Sequence, residues 1–377
     1  TAGTITVNLP AGAAGSIVSL ADYAATWQTN NVTVTPNGSE KIGSVNANAT
    51  LSTEGQSVTF VYVDSTQGWI NTMDSTSNVR AASFIAATGG TPTQCGDYEI
   101  RTFIGPGTFC VSALSGNPAN NAVEYLVVAG GGGAGGQSGN TRGGGGAGGF
   151  RFASPSLAPL AYPGKPLAAP AGLTVSVAPY AITVGGGGAG SPVGVIGNDS
   201  TFSTITSTGG GNSTGTGGSG GGANGGTFDT AGGAASPVTS PAQGNAGGAS
   251  SNPSGPDHAS GGGGGAIAAG TQGRASSPTQ SGPGGIGAGM PTGFGSNGEC
   301  SGSFRYYAGG GGGGGESPVP LTAGTGGTGG GATGGVGPGG AGNAGTCNTG
   351  GGGGGTGSAA DGGAGGSGIV VIRYKFQ

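Results

Sequence analysis

The sequence predicts an all-β N-terminal region, then a glycine-rich domain of packed polyglycine-II (polyproline-II-type) helices closed by a pair of β-strands, with almost no α-helix. The first reason is composition: 100 of the 377 residues are glycine, and 100 − 13 = 87 of them follow residue 129. The second is that these glycines form bare runs, the longest at 309–315. The third is that two apolar segments of strand length, 123–129 and 368–374, lie on either side of the runs.

Side-chain burial cannot stabilise this glycine-rich region. Ordering 87 glycines costs on the order of 100 kcal/mol of conformational free energy. Between residues 209 and 368, 14 of 160 residues are Val, Ile, Leu, Met, Phe, Tyr or Cys. The remaining favourable contribution is backbone hydrogen bonding between glycine helices with three residues per turn, packed side by side in antiparallel or mixed directions. Their Cα hydrogens add weak contacts to neighbouring carbonyl groups.

Two other structures for the glycine runs have to be weighed. Gly/Ser-rich chains are usually flexible linkers, but these spacers are varied and the region is 377 − 129 = 248 residues long. Collagen needs a strict Gly-X-Y period, which is absent. Packed polyglycine-II helices therefore remain the favoured interpretation.

The N-terminal elements are predicted from alternating apolar residues. Strand patterns occupy 5–7, 17–20, 32–35 and 58–63, and Trp69 is expected to cover a small hydrophobic cluster. The N-terminal region has few apolar residues for its length, so it can bury only a small core by itself. We therefore expect residues 1–121 to form a β-rich assembly or attachment region that joins a homotrimer.

The second predicted domain covers residues 122–377. Its two apolar end segments are expected to pair with each other and close the domain. Two hairpins are predicted within it, one at 173–184 with its turn at Pro179-Tyr180, and a shorter one at 201–208. Just before it, segments 97–104 and 108–114 are expected to form another hairpin, with a turn at Gly105-Pro106-Gly107.

Four cysteines suggest two cross-links. Cys95 and Cys110 lie on either side of the hairpin predicted from 97 to 114, so they are candidates for one disulfide. Cys300 and Cys347 lie in two glycine-region spacers and are candidates to join two loops at one end of the bundle. Either bond needs an oxidising environment, such as the surface of a released particle.

Charge and hydropathy exclude several classes of function. Charged residues make up 6% of the chain and the net charge is −4, so we expect no nucleic-acid binding. No stretch approaches 18 consecutive apolar residues, so no transmembrane helix is predicted. Thr1 begins directly in a strand-like segment, which is why we expect a processed product or a fragment of a longer protein.

Catalytic chemistry has little support. His258 is the one histidine of the chain, and its neighbours Asp257 and Ser260 are too close in sequence to form a nucleophilic triad with it. Gly-x-Gly-x-x-Gly strings arise by chance in this background, and no Gly-Lys-Ser/Thr follows them. We expect no enzyme activity, no catalytic residue, no metal site and no cofactor.

The spacers between glycine runs hold most of the large side chains. If the runs are parallel rods, the spacers emerge at their ends and form loops on a rigid scaffold. Aromatic residues and arginine are favoured at binding hot spots. The candidate receptor-binding residues are therefore Phe228, His258, Phe294, Phe304, Arg305, Tyr306 and Tyr307.

Several segments resemble a known family. VEYLVVAGGGGAGG (123–136), GGGGAGGFR (143–151), ITVGGGGAG (182–190) and GGSGIVVIRY (365–374) are similar to the glycine-rich domain of tail fibre and receptor-binding proteins of tailed bacteriophages. The segment 32–72 also resembles parts of phage fibre proteins. Among these proteins, the T-even-type tip adhesins have polyglycine-II rods whose variable loops touch the host receptor. This chain is longer, has its own β region and carries four cysteines, so the loops and their receptor do not carry over.

The resemblance implies a phage tail fibre or tip adhesin on the virion surface. Its expected partners are a host cell-surface glycan or an outer-membrane protein, and other tail or fibre proteins. The alternative is a structural filament or matrix protein built from the same lattice. An ice-binding bundle is a third possibility, which the irregular spacers oppose.

Overall fold

The computed structural model describes residues 3–75, 84–136, 141–226, 230–251, 258–274, 280–316 and 322–376. The chain divides into two compact units, 1–81 and 82–377. The sequence placed the boundary at 121/122 instead. The difference arises because strands between 84 and 121 pair with strands of the glycine-rich region and so belong to the second unit.

The first unit contains two three-stranded sheets. Its strands are β1 (Ile5–Asn8), β2 (Ile17–Ala21), β3 (Val32–Thr35), β4 (Ala49–Leu51), β5 (Ser57–Asp64) and β6 (Gly68–Ser75). One sheet has the order β1-β3-β4 and the other β2-β5-β6. Val34, Phe60 and Trp69 are buried in the shared core, which confirms the expected role of Trp69. Alternate residues of β3 and β5 point into this core, as their sequence pattern predicts.

One buried carboxylate organises the loop after β2. Asp22 is 1% exposed and accepts hydrogen bonds from the backbone N–H groups of Thr26, Trp27 and Gly55. Burial alone would raise the pKa of Asp22, but these backbone hydrogen bonds outweigh it and hold the pKa below its ordinary value. Asp22 therefore ties this loop to the turn before β5.

The second unit contains two larger sheets. Its strands are β7 (Ala86–Thr88), β8 (Thr91–Cys95), β9 (Tyr98–Phe103), β10 (Gly107–Ala113), β11 (Ala122–Val128), β12 (Phe150–Ala153), β13 (Leu173–Thr174), β14 (Pro179–Thr183), β15 (Ser200–Phe202), β16 (Ile205–Ser207), β17 (His258–Ala259), β18 (Ala288–Pro291), β19 (Glu299–Ser301), β20 (Phe304–Tyr307), β21 (Gly315–Glu316) and β22 (Ile369–Lys375). The central sheet has the order β12-β11-β22-β9-β8, with β13 also paired to β11. The second sheet has the order β16-β15-β14-β10-β7.

The predicted pairing of the two apolar end segments is confirmed. β11 and β22 are antiparallel, with Leu126 opposite Val371. Both faces of this pair are buried: Leu126 and Val371 belong to one hydrophobic cluster, and Val127 and Val370 to another on the opposite face. Burial on both faces explains why these strands are continuously apolar rather than alternating.

Two predicted hairpins are wrong. β9 and β10 were expected to pair, but β9 pairs with β22 and β8, and β10 pairs with β14 and β7. Residues 173–184 do not fold back at Pro179-Tyr180 either: β13 pairs with β11, and β14 with β10 and β15. In each case a strand from elsewhere in the chain takes the place of the expected hairpin partner. The short hairpin predicted from 201 to 208 is present as β15–β16.

Helical structure is limited to four short 3₁₀ segments in the part of the chain that the structure describes. They are η1 (Pro118–Asn121), η2 (Pro155–Leu157), η3 (Lys165–Leu167) and η4 (Thr292–Phe294). No helix among these residues has the length and hydropathy to span a bilayer.

The glycine runs form a lattice with a threefold period. In the run 309–315 each N–H donates to another run over 2.8–3.1 Å, and every third N–H donates to the same one. Residues 309, 312 and 315 donate to 329–335, residues 310 and 313 to 282–285, and residues 311 and 314 to 142–145. A helix with three residues per turn requires this period, whereas a strand has a period of two.

The directions of the runs are mixed, as predicted. The acceptors of 309 and 312 are residues 329 and 332, so those runs are parallel, whereas the acceptors of 310 and 313 are 285 and 282, so those are antiparallel. Close approach of the backbones explains the need for glycine. A Cβ on Gly311 would collide with the carbonyl group of Gly353, and one on Gly144 with that of Gly311. At these positions the neighbouring backbone, which cannot move aside, leaves no space for a side chain, whereas positions such as Ala147 accommodate a methyl group.

Candidate functional site

The glycine bundle has two chemically different ends. The run 129–136 leaves β11, the run 141–149 enters β12, and the run 361–368 enters β22, so all three meet the central sheet at one end. We refer to this as the sheet end. Residues 136, 141 and 361 mark the opposite end, which we call the distal end.

His258 lies at the distal end. The run 258–266 is parallel to 141–149, because Gly144 donates to Gly261 and Ala147 donates to Gly264. Residue 258 is therefore level with the start of that run, far from the sheet. Ala266 donates to Ala308, which places the residue after β20 at the sheet end.

The predicted receptor residues are thus divided between the two ends. The side chains of η4 and β20, from Phe294 to Tyr307, lie at the sheet end, whereas His258 lies at the distal end. Phe228 lies outside the described residues. His258 and β20 therefore do not share one surface, because they are separated by the length of the run 258–266.

Two of the candidates are part of the core. Phe294 and Tyr307 are 1% and 0% exposed, packed in the cluster that contains Leu126 and Val371. The Tyr307 hydroxyl donates to the carbonyl oxygen of Asn297 at 2.7 Å, and burial raises its pKa well above the usual range. A receptor cannot reach these rings, so the structure corrects their assignment: they anchor the three-stranded sheet β18-β20-β19.

The remaining members of the cluster are partly exposed. Phe304, Arg305 and Tyr306 are half-buried. Phe304 packs at the margin of the core. The ring of Tyr306 covers Gly289, where an added Cβ would lie 2.8 Å from Cζ. Phe304 and Tyr306 therefore have packing contacts at the sheet end, and receptor contact by these two residues and Arg305 stays a prediction.

Neither predicted disulfide is formed, and all four cysteines are free thiols. Cys95 lies opposite Tyr98 in the central sheet, whereas Cys110 lies opposite Thr88 and Pro179 in the other sheet. The separation of β9 from β10 removes the geometry on which that bond depended.

Cys300 and Cys347 do lie at the same end, as predicted. Cys300 is in β19, whose Glu299 carboxylate accepts hydrogen bonds from the N–H groups of Gly329 and Gly330 at 2.6 and 2.7 Å. The carbonyl oxygen of Gly330 in turn accepts from Thr346, next to Cys347. Both thiols are exposed.

The distal end contains two clefts that the sequence did not indicate. The first has a volume of about 530 Å³ and is lined by Gly136, Ser191, Pro192, Gly339, Ala341, Ala359, Ala360 and Asp361. The second has about 250 Å³ and is lined by Gly135, Arg142, Pro192, Val193, Gly194, Asn212, Ser213, Thr214 and Asn224. Pro192 belongs to both, so the clefts adjoin.

The walls of the second cleft are fixed to the backbone of the runs. Asn212 donates from Nδ2 to the carbonyl oxygen of Gly194 at 2.6 Å. The Ser213 hydroxyl donates to the carbonyl oxygen of Gly143 at 2.7 Å, and Asn224 accepts from the N–H of Gly143 at 3.1 Å. Side chains held in this way lose little conformational entropy when a ligand binds.

A third, smaller cleft of about 180 Å³ lies beside the central sheet. It is lined in part by the buried ion pair of Arg373 and Glu124. The Glu124 carboxylate also accepts from the Ser154 hydroxyl at 3.1 Å and from the N–H of Ser156 at 2.7 Å. These contacts give the pair a structural role.

Comparison with known protein families gives one match. The model of a glycine-rich domain matches residues 106–375, which is more than half of the chain. The chain belongs to this glycine-rich domain family. A search of curated proteins finds no match.

In this glycine-rich domain, no three His, Cys, Asp or Glu side chains among the described residues are placed to hold a metal ion. The Ser260 hydroxyl interacts with Thr141 and with the N–H of Gly225, at 2.8 and 3.0 Å. No hydrogen bond joins it to the imidazole of His258.

A signal for the distal end was present in the sequence. Antiparallel runs reverse at each spacer, so spacers that alternate along the chain emerge at opposite ends. The spacer 191–193, which separates the clefts, is short and has no aromatic residue, and selection by aromatic content therefore missed it. Assigning successive spacers to alternate ends of the bundle would have placed 191–193 and 288–307 at opposite ends.

Proposed function

We propose that this chain is a receptor-binding adhesin of a tailed-phage fibre, and that the distal end of the glycine bundle contacts the host. The observation that carries this proposal is the asymmetry of the bundle. One end is joined to large sheets with apolar cores, and the other ends in short turns around two adjoining clefts. Binding residues are commonly displayed by loops on a rigid scaffold.

The lattice suits this role because it is rigid. Each backbone in the interior of the bundle is hydrogen-bonded to neighbours in three directions. A change of sequence in the turns at the end of such rods leaves the scaffold intact, since the turn side chains do not enter the lattice. The family resemblance of the end segments to phage fibre proteins supports the same proposal.

We also propose that the first unit assembles the protein, as a homotrimer and with other fibre proteins of the virion. Its sheet β2-β5-β6 has an outward face where Ile17 lies opposite Val61, and Met73 opposite Thr59. Ile17 and Met73 are 65% and 70% exposed. An apolar sheet face of this kind favours burial against another subunit.

The test is binding of the fluorescently labelled full chain to a panel of bacterial strains. We expect saturable binding to a subset of strains, and competition by unlabelled protein. Uniform absence of binding would contradict the adhesin proposal. Electron microscopy of the same sample distinguishes the alternative, because a structural filament would form long polymers rather than discrete particles.

A further inference from the structure

The two distal clefts adjoin, and we refer to them together as the groove. Pro192 lines both, and their other walls include the consecutive residues Gly135 and Gly136. Together they extend from Asp361 on one side to Asn224 on the other. A groove of this form fits an extended polymer better than a compact ligand.

The lining of the first cleft consists of small side chains, some polar and some apolar. Its side chains are those of Ser191, Pro192, three alanines and Asp361. Hot spots for proteins are pockets that bury a large aromatic or aliphatic anchor. This cleft offers instead exposed backbone groups, methyl groups, a hydroxyl and a carboxylate, which match the C–H and O–H groups of a sugar ring.

Asp361 is available to a ligand. Its side chain is exposed and makes no hydrogen bond or ion pair within the described residues. The backbone on both sides is fixed, because the carbonyl oxygen of Asp361 accepts from Gly342 and that of Ser358 accepts from Gly339. A carboxylate in this position accepts hydrogen bonds from two hydroxyl groups or from an amine, and it repels an acidic sugar.

We infer that the groove binds a chain of bacterial surface polysaccharide, with a neutral or amino sugar in the first cleft and the next part of the chain in the second. Asp361 accepts hydrogen bonds from the sugar in the first cleft, and the ring of Pro192 packs against the chain where it crosses between clefts. The inference rests on the proposed adhesin function and specifies its receptor class.

Two variants with matched controls test this site. Ala341→Trp fills the first cleft, and Asp361→Asn removes its charge. Ala269→Trp makes the same change at an exposed alanine of a sheet-end turn, and Asp97→Asn removes an exposed charge beside the central sheet. All four proteins should retain the melting temperature of the parent chain, because none of the changes enters the lattice.

Binding is measured on an array of purified bacterial surface polysaccharides and on whole cells treated with periodate or with protease. We expect the parent chain to bind at least one polysaccharide, and Ala341→Trp to weaken that binding at least tenfold. Asp361→Asn should weaken it several-fold, with both controls unchanged. Cell binding should be lost after periodate and retained after protease.

Absence of binding to every polysaccharide on the array, or equal binding by Ala341→Trp, overturns the inference. If cells are then still bound and protease abolishes that binding, the adhesin proposal stands with a protein receptor. Polysaccharide binding without binding to any living strain has the opposite meaning: the groove is assigned correctly and the adhesin proposal fails.

Discussion

Buried backbone N–H and C=O groups must form hydrogen bonds, and the sheet end and the glycine bundle meet this requirement in different ways. In β11 and β22 the N–H groups are paired in a plane, and side chains such as Leu126 on one face and Val127 on the other fill both faces. In the bundle the N–H groups point in three directions, and neighbouring backbones occupy the space of side chains. The sheet is therefore stabilised by apolar side-chain volume, and the bundle by backbone hydrogen bonds between closely packed runs of mainly glycine.

The largest expected effect comes from adding one methyl group to the lattice. The nearest atoms to a Cβ on Gly311 are backbone atoms of Gly353, so Gly311→Ala should prevent folding of the second unit or destabilise it by more than about 4 kcal/mol. The matched control is Gly186→Ala, whose nearest contact is the Asn198 side-chain nitrogen at 3.6 Å. It should change stability by no more than about 1 kcal/mol, in the stabilising direction. Equal melting curves for the two variants would contradict this lattice.

The next effect concerns the buried charges of the central sheet. Arg373 and Glu124 are 5% and 6% exposed, and Glu124→Gln leaves the guanidinium without its counter-charge. We expect a loss of about 3–5 kcal/mol in chemical denaturation. The double variant Glu124→Gln, Arg373→Met should recover part of this loss. Glu99→Gln, at the more exposed Arg101–Glu99 pair, is the control and should cost about 1 kcal/mol or less.

Alkaline pH should weaken the sheet end by a smaller amount. Burial raises the pKa of Tyr307, Tyr125 and Tyr374, so these hydroxyls stay protonated in the folded protein above pH ~10, where unfolded tyrosines ionise. The folded state then binds more protons than the unfolded state, and its stability falls as pH rises. Each such tyrosine contributes a slope of about 1.4 kcal/mol per pH unit.

Unfolding by denaturant from pH 8 to 11 measures this slope. Tyr307→Phe should reduce the slope by one proton, at a cost of about 1 kcal/mol at neutral pH for the lost bond to Asn297. An unchanged slope in that variant would show that Tyr307 ionises normally.

The smallest effect is expected at the cysteines. Cys95, Cys300 and Cys347 are exposed thiols and Cys110 is half-buried, so a thiol reagent should modify three quickly and one slowly in the folded protein. Cys347→Ser lies in a turn outside the lattice and should change stability by less than about 0.5 kcal/mol. Fewer than four reactive thiols in the denatured, unreduced protein would indicate a disulfide.

The sequence predicted those parts of the fold in which the spacing of apolar residues or glycines along the chain determines the local structure. The continuous apolar residues of β11 and β22 predicted a pair buried on both faces, and the alternation in β3 and β5 predicted half-buried strands. Bare glycine likewise predicted lateral backbone bonding. In each of these segments the local composition is compatible with one environment: burial on both faces, burial on one face, or packing against neighbouring backbone.

Partner choice was not predictable in the same way. The predicted turn at residues 105–107 suggested that β9 and β10 pair, but β22, about 270 residues later in the chain, takes the place beside β9. The same limit applies to the candidate site. Glycine runs carry no side chains that report their neighbours, so their sequence does not give the order in which they pack. The aromatic content of β20 reflects its place in the core, where Tyr307 is fully buried.

Hydrogen–deuterium exchange tests the central claim most directly, namely that the bare glycine runs are ordered by backbone hydrogen bonds. Peptides covering residues 308–316 are compared with peptides covering β22 in the same folded protein. In the lattice every amide from 309 to 315 donates to another run, so we predict protection as strong as that of β22. Exchange of 308–316 at the rate of an unstructured chain, with β22 still protected, would contradict the account.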